Sequence, residues 1–180
     1  MSYLNIIIGP MFSGKTTELI NLYTNSIYNK KVIINHNIDK RYTDESSVTS
    51  HDKVSLPAIS MTQLDDILHN DIILSNEEFY IDESQFFPDL FKVVTKLLDY
   101  NKRIFLCGLD GDFKKIPFND GEILKLIPYC NDIQKLHAKC YICGQNASYT
   151  KRLVKNNNEQ ILVGTDEMYQ PSCYIHHFNY

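Results

Sequence analysis

The sequence predicts an α/β fold, a parallel sheet with flanking helices, followed by a small C-terminal unit of different character. Three observations predict it. Short apolar runs alternate with helical patterns from Leu4 to Leu106. The run Gly9-Pro10-Met11-Phe12-Ser13-Gly14-Lys15-Thr16 joins the first strand to the first helix. After about Asp132 that alternation gives way to short strand-like runs, polar turns and paired cysteines.

Leu4 to Ile8 is short, apolar and β-branched, and reads as a buried strand. Thr16 to Tyr28 follows as a helix with Leu19, Ile20, Leu22, Tyr23 and Ile27 on one side. Val32 to Ile34 is a second buried strand, and Arg41 to Val54, rich in Ser, Thr and Asp, predicts a mobile loop. Phe79 to Ile81 is a third strand that ends at Asp82-Glu83. Pro88 opens a helix through Phe91, Val94, Leu97 and Leu98, and Ile104 to Leu106 is the fourth strand. Such alternation implies a parallel sheet covered on both faces, with ligands beyond the carboxyl ends of its strands. The change of pattern divides the chain into residues 1–135 and 136–180. Within the second part, Lys155 to Glu159 is a turn between two strand-like runs, the second being Ile161 to Val163.

With 180 residues the chain holds one sizeable core and a small appendage. A formal charge of −4 and a pI near 5.8 provide no basic surface of the kind nucleic acid needs, so the expectation is no nucleic-acid partner. No run approaches the ~20 apolar residues of a membrane span. Met1 to Asn5 lacks the features of a signal peptide, so the expected partners exclude a membrane and the expected address is the cytoplasm. Five cysteines in such a chain argue against a disulfide framework. Cys107, in an apolar run, reads as a small buried side chain, and Cys130 has no obvious partner.

The run Gly9 to Thr16 has the spacing of a P-loop, whose backbone N–H groups and following helix N-terminus cradle phosphates. Lys15 would reach the β and γ phosphates of a nucleoside triphosphate, and Thr16 would hold Mg²⁺. Asp82, at the end of an apolar strand, fits a second Mg²⁺ role through water. Glu83 beside it can take a proton from an attacking hydroxyl or water. With water as nucleophile the protein is a nucleotide hydrolase; with a substrate hydroxyl it is a kinase. Cys140-x-x-Cys143 and Cys173-x-x-His176 supply four ligands for a closed, structural Zn²⁺ site with Zn–S distances near ~2.3 Å. His177 competes for the fourth position, although the two intervening residues favour His176. The metal would tie both ends of residues 144–172.

In order and spacing these motifs, with Asp82-Glu83-Ser84-Gln85-Phe86-Phe87, Leu109-Asp110-Gly111-Asp112-Phe113 and Ser148-Tyr149-Thr150-Lys151-Arg152-Leu153, resemble the type II thymidine kinases of cells and poxviruses. The resemblance spans Leu4 to His176. It implies a P-loop domain, residues 1–135, and a zinc-binding lasso domain, residues 136–180, in a homotetramer. It also implies transfer of the γ-phosphate of ATP, with Mg²⁺, to the 5′-hydroxyl of thymidine.

On that resemblance Glu83 is the general base, and Gly9, Pro10, Met11, Phe12, Ser13, Gly14, Lys15, Thr16, Asp39, Arg41 and Asp82 surround the nucleotide. Met11, Phe86, Leu109, Phe113, Phe118 and Thr150 shape the nucleoside pocket. Leu162, Val163 and Gly164 read the base through their main chain, and Tyr169 closes over the sugar. Arg152 matches a position near the phosphates.

Two positions depart from the family pattern: Ser84 stands where glycine is common, and His176 replaces a fourth cysteine. The short stretch after the zinc ligands resembles viral and bacterial members more than animal cellular ones. The same motifs admit a zinc-ribbon P-loop ATPase stimulated by nucleic acid, against which the acidic charge counts.

Overall fold

The computed structural model describes residues 1–38, 47–49, 54–154, 159–162 and 167–178. Strand β1 (Tyr3–Ile8) runs into the glycine-bearing loop and helix α1 (Lys15–Asn25). Strand β2 (Lys31–His36) follows, then β3 (Ser47–Thr49), β4 (Ser55–Pro57) and β5 (Ile59–Met61). A short helix α2 (Asp71–Leu74) precedes β6 (Glu78–Ile81), and α3 (Leu90–Asp99) leads to β7 (Arg103–Gly108). After α4 (Glu122–Lys125) come β8 (Asp132–Lys135), β9 (Ala138–Lys139) and β10 (Asn146–Ala147). The chain closes with β11 (Tyr149–Arg152), β12 (Tyr169–Ser172) and α5 (Tyr174–Phe178).

Among the described residues, six strands form one sheet in the order β5-β2-β6-β7-β1-β8, and every pairing in it is parallel. Successive side chains of a strand point to opposite faces, and both faces here are covered. Leu4, Ile6 and Ile8 of β1 join Phe79, Ile81, Ile104 and Leu106 against Leu90, Val93, Val94 and Leu97 of α3. Ile7 points the other way, with Ile33, Tyr80, Phe105 and Cys107, against Leu19 and Ile20 of α1. The four predicted strands are the four central ones.

Several sequence expectations are corrected. Helix α1 ends at Asn25, three residues short of the prediction, and Ile27 is 90% exposed instead of packed. The backbone leaves the helix at Ser26, whose hydroxyl donates to the buried Glu78 carboxylate while Lys31 Nζ takes the Tyr23 carbonyl at 2.7 Å. The helix predicted to open at Pro88 begins at Leu90, because Asp89 has non-helical backbone angles (φ −108°, ψ 12°) as the residue before it; its carboxylate accepts from Asp65 N (2.7 Å) and does not cap the helix. Residues 47–49, predicted as part of a mobile loop, are a strand paired antiparallel with β4, and Val48 is buried in the second core. Of the run predicted as a strand at 161–163, residues 161 and 162 are not in a strand. Strand β11 pairs instead with β12. The predicted turn at 155–159 lies outside the described residues up to Asn158.

Candidate active site and metal centre

The glycine-bearing loop leaves the carboxyl end of β1 and is shaped by close approaches. A β-carbon on Gly9 would stand 2.5 Å from the Leu136 carbonyl oxygen, so only glycine fits there. Gly14, in the left-handed region at φ 82°, caps α1 and turns the helix N-terminus toward the cleft. Ser13 Oγ and Lys15 Nζ both donate to the Pro10 carbonyl, at 2.8 and 2.7 Å. Burial lowers the pKa of Lys15, and the nearby Glu83 and Asp82 carboxylates oppose that shift.

Because only β7 separates β1 from β6, the start of α1 meets the end of β6. Thr16 Oγ1 lies 3.2 and 3.4 Å from the two Asp82 carboxylate oxygens. Asp82 is buried and also accepts from Glu83 N (2.9 Å) and from the Cys107 thiol. Burial, together with Asp82 itself, pushes the Cys107 pKa well up, so the sulfur stays protonated and donates. A hydroxyl facing a carboxylate is a hard oxygen pair of the kind Mg²⁺ takes while keeping several waters, so these residues fit that ion.

Glu83 has φ 50° and ψ 37°, a left-handed conformation that a residue with a side chain rarely adopts. Ser84, the position where the family resemblance leads one to expect glycine, sits in the following 3₁₀ turn and has no positive φ. Its hydroxyl donates to the Ile81 carbonyl at 2.8 Å. Gln85 is fully buried. Its amide nitrogen donates to Glu83 Oε2 (2.6 Å), and its amide oxygen accepts from Leu109 N (2.9 Å).

One cleft is lined by loop residues Met11 to Thr16, by Asp82 and Glu83, and by Phe86, Leu109, Phe113, Phe118, Thr150, Leu162 and Tyr169. The expected phosphate loop, acids and aromatic wall therefore share one space. Phe86 and Phe118 meet edge to face at 5.4 Å, and Met11 N donates to Thr150 Oγ1 at 3.0 Å. Arg152, which the resemblance places near the phosphates, lies 3.9 Å above the Phe113 ring. It also donates to the Tyr169 hydroxyl at 2.6 Å and to the Gln160 carbonyl at 3.0 Å. Asp39, Arg41, Val163 and Gly164 lie outside the described residues.

The ligand atoms of Cys140, Cys143, Cys173 and His176 all fall within 4.8 Å of one another. Cys143 Sγ is 3.9 Å from Cys173 Sγ, and His176 Nδ1 is 3.4 and 3.2 Å from the Cys140 and Cys173 sulfurs. Tetrahedral bonds of ~2.3 Å place sulfurs roughly 3.8 Å apart, so the set fits Zn²⁺. Burial raises the Cys140 thiol, but backbone N–H groups of Cys173, Cys143 and Ile142, together with His176, outweigh it and bring the pKa down to about 6. That favours the thiolate a metal binds. His177 turns away, with Nδ1 3.1 Å from Ser172 Oγ and Nε2 3.3 Å from Lys115 Nζ. The cluster with Ala138 and Ala147 packs on Phe12 of the glycine-bearing loop.

Two residues at the site carry contacts that sequence reasoning did not assign. Gln85 lies inside the Asp82 to Phe87 motif, so its position was visible although its partner was not. Cys107 was expected to be buried, but only the fold brings its thiol to Asp82.

The family model described as "Thymidine kinase" matches residues 2–177. The chain is 39% identical over 179 residues to a thymidine kinase of Yaba monkey tumor virus, covering 98% of this chain and 94% of that one. It is 39% identical over 174 residues to the thymidine kinases of vaccinia virus (strain Western Reserve) and variola virus, covering 95% of this chain and 94% of each relative. With the loop, the acid pair, the aromatic wall and the cysteine-histidine cluster in one molecule, the chain belongs to the thymidine kinase family.

Proposed function

We propose that this chain transfers the γ-phosphate of ATP to the 5′-hydroxyl of thymidine, with Glu83 as the general base. The observation that carries this reading is the shared cleft, which Glu83 lines together with the phosphate loop and a wall of apolar and aromatic side chains. A hydrolase needs only a water beside the γ-phosphate. A wall of this composition suits a flat base.

In this reading the loop N–H groups, the start of α1 and Lys15 hold the phosphates, and Lys15 exchanges the Pro10 carbonyl for phosphate oxygens. Mg²⁺ arriving with ATP would supply charge neutralisation to the phosphates, and Thr16 and Asp82 are the residues that would hold it. Phe86, Leu109, Phe113, Phe118, Met11 and Thr150 seat the nucleoside, with Leu162, Val163 and Gly164 offering main-chain groups to the base. Tyr169 borders the sugar, Asp39 and Arg41 face the nucleotide, and Glu83 removes the 5′-hydroxyl proton as that oxygen attacks in line. Cys140, Cys143, Cys173 and His176 hold a structural Zn²⁺ that ties residues 136–180 into a lasso domain beside the P-loop domain 1–135.

A homotetramer and a cytoplasmic address belong to the same proposal. The first rests on the family resemblance, and the second carries the expectation from the sequence forward. Among the described residues no helix is long and apolar enough to cross a membrane.

The test is ATP consumption by the purified chain with each of four deoxynucleosides or with duplex DNA. Thymidine dependence is expected, and Glu83→Gln lowers turnover by ~10²–10⁴ while ATP binding stays near normal. DNA-dependent consumption, or full turnover in E83Q, contradicts the reading.

A further inference from the structure

We propose that Gln85 is the positioning residue of the reaction: its amide fixes the Glu83 carboxylate against the floor of the nucleoside pocket. The inference deepens the reading of Glu83 as general base and rests on it.

The chemistry of the partners sets the direction of the amide. A carboxylate only accepts and a backbone N–H only donates, so Nε2 faces Glu83 Oε2 at 2.6 Å and Oε1 faces Leu109 N at 2.9 Å. Neither end can turn over without losing both bonds. The Gln85 carbonyl in turn accepts from Asn119 Nδ2 at 3.0 Å, next to Phe118. One side chain and its own backbone thus link the end of β6, the end of β7 and the loop carrying Phe118, three segments that border the cleft.

The surroundings fit this amide closely. A β-carbon on residue 108 would stand 2.5 Å from Gln85 Oε1, so Gly108 makes room for it. Gln85 has no exposed surface, so its own amide is held by protein partners, while the half-buried Glu83 it grips faces the cleft. Glu83 combines a left-handed backbone with a flexible side chain. The backbone aims the carboxylate only coarsely, and the amide adds a constraint at its tip.

The test compares kcat and the thymidine KM separately in the wild type, Gln85→Glu and Gln85→Met. Thermal melts and ATP affinity are measured alongside. Gln85→Glu keeps an acceptor for Leu109 N and replaces the donor to Glu83 by a second carboxyl. Its kcat is expected to fall ~10-fold or more while its thymidine KM stays near the wild-type value. Gln85→Met is nearly the same size and donates nothing. Its kcat is expected to fall by a similar factor, and its thymidine KM rises because Leu109 N loses its acceptor.

ATP affinity is expected to stay at the wild-type value in both variants. A kcat that stays at the wild-type value in both variants overturns the proposal, and so does loss of the folded state in both variants, which would assign Gln85 to the core alone. The Glu83→Gln control separates the two readings. If E83Q keeps wild-type turnover, the general-base assignment fails. If E83Q is inactive and both Gln85 variants keep the wild-type kcat, only the positioning role fails.

Discussion

Glu83 adopts a left-handed backbone that costs ~1–3 kcal/mol for a residue with a β-carbon, and such conformations persist where the surroundings impose them. Here Asp82 Oδ1 accepts the Glu83 N–H, Phe86 N donates to the Glu83 carbonyl at 3.0 Å, and Gln85 holds the carboxylate. The strain lies on the acid itself and not on Ser84. Behind this turn, His36 at the end of β2 packs edge to face on Phe87, with ring centroids 4.8 Å apart. Burial lowers its pKa from the ordinary 6.5, opposed by the Thr62 backbone and the Glu83 and Asp89 carboxylates. Because the folded value lies below the unfolded one, the contribution to stability is complete above that ordinary value and is lost as pH falls below it. Thermal melts at about pH 7.5 and about pH 5.5 should show a smaller loss of Tm in His36→Gln than in the wild type. Equal losses would contradict the assignment.

At the scale of elements, the cysteine-histidine cluster does more than close a loop. Strands β9 and β10 and the start of α5 carry the four ligands or flank them, and their small core rests on Phe12 while Thr150 of β11 accepts from Met11 N. The appendage therefore packs on the glycine-bearing loop and supplies part of one wall of the cleft. Removing the metal, or changing Cys140→Ser, should expose residues 136–178 to limited proteolysis before residues 1–135. It should also raise the thymidine KM at least about tenfold, the equivalent of ~1.4 kcal/mol. Unchanged thymidine binding in a zinc-free protein would contradict this.

The elements most legible in the sequence are those with a strong one-dimensional signal. The central strands are continuous apolar runs because both faces of the sheet are covered, and the cysteine spacing is itself a geometric statement. Edge strands carry no such mark. Strand β8 reads Asp-Ile-Gln-Lys and is exposed along its whole length, so its place beside β1 follows from pairing alone. Strand β3 has a single buried residue, Val48, among polar neighbours, and β12 contains Pro171, which argues against a strand until its pairing with Thr150 is seen. The contact between Gln85 and Glu83 spans two residues in sequence, yet it depends on a backbone turn that composition does not announce.

At the scale of the whole molecule, the parallel sheet gathers the chemistry at one end. The carboxyl ends of β1, β6 and β7 deliver the phosphate loop, the acid pair and Leu109 to a common rim, and the C-terminal unit folds back over that rim to contribute Thr150, Leu162 and Tyr169. The site is assembled from residues far apart in sequence, so the fold and the reaction stand or fall together. The direct test of the account is a crystal structure of the protein with thymidine and a non-hydrolysable ATP analogue. The account predicts a Glu83 carboxylate oxygen within ~2.6–3.2 Å of the 5′-hydroxyl, with the γ-phosphate on the opposite side of that oxygen. A thymidine bound with its 5′-hydroxyl beyond the reach of Glu83, or outside the cleft between the phosphate loop and Phe113, would contradict it.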